Sequence, residues 1–256
     1  MLRSQCFTLL LVVGASMVQA QQQETGFLNR SVEVEGATYL YQVYVPADYH
    51  ADVRWPVVLF LHGAGERGTD GLIQTEVGLG SALRRHAERY PAIVVFPQVL
   101  PDARWSDAAA QAAIAALDKT LEEFSTDPDR VYLTGLSMGG NGTWYLAYHS
   151  SDRFAALAPI CGWVASNDWA VSFVPDSREG PYALLAERIR GIPTWIFHGE
   201  TDPVVPVTES RRMAEALNAA RSPVTYTELP GIGHNSWDAA YASPAFAEWL
   251  LAQRRR

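Results

Sequence analysis

Val131-Tyr132-Leu133-Thr134-Gly135-Leu136-Ser137-Met138-Gly139-Gly140 joins an apolar, β-branched run to a serine flanked by glycines. Val131 to Thr134 has the composition of a strand buried on both faces. Gly135 to Gly139 then spells G-x-S-x-G, and a helix is expected to begin near Gly140. A serine on a sharp strand-to-helix turn has its hydroxyl pushed outward, and flanking glycines leave room for the neighbouring strand and helix. The helix N-terminus also faces any negative charge that develops there. The five-residue pattern alone arises by chance in roughly one chain in ten of this size. A strand before it and a helix after it remove most such accidents. The plainer alternative is a tight turn whose serine only caps the helix.

Moving outward, Val57 to Leu61 is another unbroken apolar run, ending at His62-Gly63. Ala92 to Phe96 and Thr194 to Phe197 repeat the pattern, and Val224 to Leu229 reads as a last strand. Helical spacing covers Ala108 to Phe124, Asn141 to His149, Glu209 to Leu217 and Pro244 to Gln253. Ser31 to Val45 alternates like a hairpin with Gly36 near its turn. Strands alternating with helices predict an α/β fold, a mostly parallel central sheet with helices on both faces. Chemistry in such sheets gathers where strands end at their carboxyl edge.

A serine hydroxyl needs a histidine to take its proton and a carboxylate to hold that histidine. Where the serine lies on such an elbow, the acid and then the histidine follow it in the chain. Asp202, in the loop after Thr194 to Phe197, is the candidate acid, with Glu200 as the alternative. Pro203 stiffens the turn beside Asp202. His234 is the one histidine after Asp202, and Gly231 and Gly233 before it permit a loop that reaches back toward Ser137. His198 is expected to pack or hydrogen-bond at its strand end, and His62 to brace the loop it begins.

A tetrahedral oxyanion also needs backbone N–H donors. Met138 should give one and Ala64 the other, with Gly63 or Gly65 as alternatives. Gly63-Ala64-Gly65-Glu66-Arg67-Gly68 also spells the dinucleotide pattern G-x-G-x-x-G. Glu66 would repel a pyrophosphate, Gly68 to Gly71 continues as loop where a helix is required, and the next strand ends without a ribose-binding acid.

Four motifs, His62-Gly63-Ala64-Gly65-Glu66-Arg67-Gly68, Gly135-Leu136-Ser137-Met138-Gly139-Gly140, Gly199-Glu200-Thr201-Asp202-Pro203-Val204-Val205-Pro206 and Gly233-His234-Asn235-Ser236-Trp237, together resemble the dienelactone-hydrolase-like and phospholipase/carboxylesterase branch of the α/β hydrolases. The nearest likeness is to exported proteins labelled predicted peptidases or polyhydroxybutyrate-depolymerase-like esterases. The motifs run from His62 to Trp237. The resemblance implies the α/β-hydrolase fold and cleavage of carboxylic esters through an acyl-enzyme, with no cofactor. No metal is expected either, because no His, Cys or Glu pair has the spacing of a zinc or iron site. Its substrate would be a small-molecule or polymer-linked ester. Ser137 stands where true dienelactone hydrolases carry cysteine, and no room exists for the propeller of prolyl oligopeptidases. A serine peptidase of the same fold and a catalytically silent ligand-binding relative are the competing classes.

The 256 residues carry 20 basic and 28 acidic side chains, net −8, which argues against a nucleic-acid partner. Arg3, the apolar run Phe7 to Val13 and Val18-Gln19-Ala20 have the pattern of a signal peptide spanning residues 1–20, and so of a secreted or periplasmic protein. Stable membrane insertion is not expected, because that run is short of the roughly 20 residues a span requires. The remaining chain, 21–256, is expected to form one domain. Cys161 then has no partner for a disulfide and reads as a buried small hydrophobe. Residues 162–181 are long for a connection and contain Trp163, Trp169 and Phe173, which suggests a small cap. Trp105, Trp163 and Trp237 are the candidate substrate-binding residues, either as an aromatic wall for an aryl or sugar-linked ester or as plain packing.

Overall fold

The computed structural model describes residues 24–165, 173–174 and 180–255. The expected signal peptide lies outside these residues, as do Trp169 and most of the expected cap. Among the described residues no helix is long and apolar enough to cross a membrane.

Eight strands form one sheet: β1 (Gly26–Val34), β2 (Ala37–Val45), β3 (Trp55–Leu61), β4 (Ile93–Pro97), β5 (Thr126–Leu136), β6 (Ala156–Ile160), β7 (Thr194–Gly199) and β8 (Val224–Leu229). Their order is β1-β2-β4-β3-β5-β6-β7-β8. Strands β3 to β8 run parallel, while the β1–β2 hairpin joins β4 antiparallel. Glu35 and Gly36 close that hairpin, both at positive φ (52° and 79°), the geometry of a tight two-residue turn.

The helices are α1 (Leu79–His86), α2 (Asp107–Glu123), α3 (Met138–His149), α4 (Gly180–Arg188), α5 (Thr208–Ala219), α6 (Trp237–Ala242) and α7 (Pro244–Ala252). Strand β3 explains why they cover both faces. Val57, Leu59 and Leu61 point into a core with α2, α3, α4 and α5. Val58 and Phe60 point into a second core with α1, α6 and α7. A strand flanked this way must be apolar at every position, which is the pattern seen in its sequence.

Two elements depart from expectation. The helix after the serine starts at Met138, two residues earlier than expected near Gly140. Ala156–Ile160 is a central strand despite Pro159. Leu157 and Cys161 donate their N–H groups to Pro193 and Phe197 of the β7 side. Pro159, midway between them, points its missing donor to that same side. The ladder tolerates one gap because its neighbours on either side are bonded.

Chain order reverses around β3: β4 lies on one side of it and β5 on the other. That reversal opens a crevice at the carboxyl ends of β3 and β5, where the 62–68 loop and Ser137 emerge.

Candidate active site

Ser137 sits between β5 and α3 with φ 53° and ψ −114°. This is backbone that a side chain rarely adopts, and it is held by bonds on both sides. The Ser137 N–H donates to Ile160 O at 2.9 Å, and Ser137 O accepts from Asn141 N at 3.0 Å. Gly135 and Gly139 let the turn close. A Cβ on Gly135 would lie 2.3 Å from Gly139 O.

The candidate acid and base converge on this serine. His234 Nε2 lies 2.9 Å from Ser137 Oγ, and His234 Nδ1 lies 2.7 Å from Asp202 Oδ2. With Nδ1–H donating to the carboxylate, Nε2 is free to accept the serine proton. The imidazole is partly exposed, while the Asp202 side chain is fully buried. Trp237 meets the imidazole edge-on, its ring centre 5.3 Å away.

Burial alone would push the Asp202 carboxyl upward. Donors from His198, His234, Val205 and Val204 outweigh it and hold the group well below the usual carboxylate range. Val204 N and Val205 N donate to Oδ1 at 2.8 and 2.9 Å, while His198 Nε2 lies 3.1 Å from Oδ2. His198 hydrogen-bonds at its strand end, as expected: its Nε2 lies 3.0 Å from Val205 O, which places the same nitrogen beside the acid. Its own orientation is set by Ser210 Oγ at 2.7 Å. Glu200, the alternative acid, touches neither ring. It accepts Gly231 N at 2.9 Å and so pins the loop that carries His234.

The two candidate oxyanion donors, Ala64 and Met138, line one cavity of about 260 Å³ together with Ser137 and His234. Met138 N opens a helix and Ala64 N opens a short 3-10 turn, positions without an intrahelical acceptor. Neither forms a hydrogen bond within the described chain. The loop bearing Ala64 is fixed from below. His62 Nδ1 donates to Gly63 O at 2.6 Å, its Nε2 accepts Val99 N at 3.0 Å, and Trp105 Nε1 donates to His62 O at 2.9 Å. Gln98 adds bonds to Glu66 O and Asp70.

The tryptophans divide. Trp163 and Trp237 line the cavity. Trp105 does not: it is buried, packs against the His62 ring at 4.9 Å and fills the space beside Gly142. The expectation that Trp105 meets substrate is corrected, because its indole N–H is already used to hold the His62 carbonyl. Arg67, Arg104 and Glu66, which the motif reading left aside, also line the cavity.

Cys161 is fully buried, as its composition suggested, but it lies directly beneath the triad. One ligand atom each from Cys161, Asp202 and His234 lies within 4.8 Å of the others. These are the described groups nearest to a metal-ligand set. Burial pushes the thiol up to about 12, so it is no thiolate at neutral pH, and both His234 nitrogens are engaged.

His62 supplies a pH-dependent expectation. Burial lowers its pKa from 6.5 to about 4, so the folded state keeps it neutral where the unfolded chain would protonate it. The unfolded chain then binds more protons between those values, so stability is full above about pH 6.5 and falls as pH drops toward 4. The loss should be roughly 3 kcal/mol over that window. Denaturant titrations at pH 4, 5 and 7 on the native chain and on His62→Gln check it; the variant should be flatter across this range.

A family model described as "Putative esterase" matches residues 33–249. This chain belongs to the esterase family. A solved thermostable esterase is 35% identical with a TM-score of 0.77, over 90% of this chain and 63% of that one. An "Uncharacterized secreted protein" of Arthroderma benhamiae is 29% identical over 70% of this chain and 21% of its own length. "Probable feruloyl esterase C" of Aspergillus niger is 25% identical over 77% of this chain and 67% of its own. The chain thus spans about a fifth of the Arthroderma protein and under two thirds of the thermostable esterase. The esterase-family fold agrees with the α/β-hydrolase architecture expected from the strand and helix pattern.

Proposed function

We propose that this chain hydrolyses carboxylic esters through an acyl-enzyme on Ser137. The observation that carries the reading is the unbroken line Asp202–His234–Ser137, at 2.7 and 2.9 Å, beside two unpaired N–H groups. His234 Nε2 takes the Ser137 proton as Oγ bonds to the ester carbonyl carbon. The carbonyl oxygen becomes an oxyanion facing the Ala64 and Met138 N–H groups. The carbon–oxygen bond to the alcohol then breaks, and His234 returns the proton to the leaving oxygen. Water enters, gives a proton to His234, attacks the acyl carbon and releases the acid, and Ser137 regains its proton. Asp202 stays ionised throughout and steadies the imidazolium. Trp163 and Trp237 form the apolar walls.

Residues 1–20 act as an export leader cleaved after Ala20, a reading supported by the leader's composition and by the name of the Arthroderma relative. Esters attached to polymers suit such a location, and the feruloyl esterase relative supports an aryl acyl group. A fluorophosphonate probe tests the central reading. It should label the protein once, at Ser137, as read by peptide mass analysis. An unlabelled protein would make it a silent scaffold, and a label elsewhere would displace Ser137.

A further inference from the structure

Resting on the hydrolase reading, we propose that the acyl half of the natural ester carries a negative charge, held by Arg67 and Arg104 at the mouth of the cavity. Both line it beside Ser137. Arg67 is fastened to backbone on two loops: its Nε donates to Ala64 O at 2.9 Å and its Nη1 to Ala103 O at 3.5 Å. Arg104 is exposed, and among the described residues its guanidinium has no hydrogen-bond or ion-pair partner, its one bond being Ser106 N–H to its backbone oxygen. No described carboxylate pairs with either guanidinium. Glu66, the one acid lining the cavity, is turned inward. Its Oε2 is buried and lies 3.0 Å from where a Cβ on Gly63 would stand. The chain as a whole is acidic, at net −8, so two uncompensated cations beside the nucleophile are against its general charge. A cationic cleft mouth draws in anionic ligands and holds carboxylates through the guanidinium fork.

The sheet order says which half of the ester carries the charge. Loops after β3 and β4, bearing Arg67 and Arg104, emerge on one side of Ser137. Loops after β7 and β8, bearing Asp202 and His234, emerge on the other. The leaving oxygen must lie at His234 to receive its proton, so the alcohol occupies the β7–β8 side. The acyl remainder then projects toward the arginines. The substrate class is a mono-ester of a dicarboxylic acid, or another acyl group bearing a carboxylate away from the scissile bond.

The test compares two aryl esters of the same acyl length, the 4-nitrophenyl half-ester of adipic acid and its primary-amide counterpart. The native protein should favour the carboxylate in kcat/KM on the order of ten-fold. That preference should shrink toward one in Arg104→Gln and in the Arg67→Gln/Arg104→Gln pair. It should also shrink when ionic strength is raised from about 0.05 to about 0.5 M, because exposed charges are screened. Turnover of the amide ester without a carboxylate preference overturns this inference and leaves the hydrolase reading intact. A preference that Arg104→Gln leaves unchanged overturns it too. Failure to turn over either ester overturns the hydrolase reading, and this inference with it.

Discussion

Ser137→Ala is expected to lower kcat/KM on a simple aryl ester by roughly 10⁵- to 10⁶-fold while the protein remains folded. Among the residues lining the described cavity, Ser137 is the one hydroxyl or thiol nucleophile. His234 Nε2 would face a methyl group in place of the hydroxyl now 2.9 Å away, and the Cys161 thiol is buried and protonated. Residual catalysis, through water attack assisted by the two N–H donors, is worth about 10³ over solution. Stability should change by less than about 1 kcal/mol, because the hydroxyl's one side-chain partner is His234 and alanine meets the same backbone strain. Asp202→Asn should cost less, on the order of 10⁴. Its amide can present a donor to His234 Nδ1, which moves the ring proton to Nε2, where it can no longer accept from Ser137. Steady-state kinetics with a thermal melt of each variant measure both effects. Ser137→Ala turnover within ten-fold of the native rate would sink the assignment.

The second large effect is on the fold. Gly139→Ala would bring a Cβ to 1.9 Å from Leu61 O, 2.5 Å from Leu61 C and 2.7 Å from His62 O. All three are backbone atoms of β3 and the residue after it, so no side chain can turn away. Helix α3 would have to lift off the sheet where Met138 and Ala64 face the same cavity. A cost above about 4 kcal/mol is expected, seen as a fall in Tm of at least about 10 °C or as failure to accumulate folded protein. Gly65→Ala is the control. A Cβ there meets nothing within 4 Å, and its stability should stay within about 1 kcal/mol of native. A Gly139→Ala protein that melts at the native temperature would mean that α3 does not press on β3 at Leu61.

Much of this architecture follows from local sequence alone. Fully apolar runs such as Val57–Leu61 need cover on both faces, and that cover is two helical layers. G-x-S-x-G between a strand and a helix fixes a turn at Ser137, since glycine alone permits the close backbone approach at Gly135 and Gly139. Asp202 and His234 were legible because each follows a strand that must end at the same edge of the sheet. Other features depended on contacts between distant segments. Ala156–Ile160 carries a proline that local rules count against a central strand, and only bonds from its neighbours make the gap tolerable. His198 came to bond Val205 O and to lie 3.1 Å from Asp202 Oδ2 because the 199–205 loop folds back over it. Trp105 and Trp163 are chemically the same side chain near the same site. One is consumed by the His62 carbonyl and the core, and the other lines the cavity. Spacing along the chain can say that an indole stands near a strand end; which way it turns is settled by the atoms that fill the space on either side.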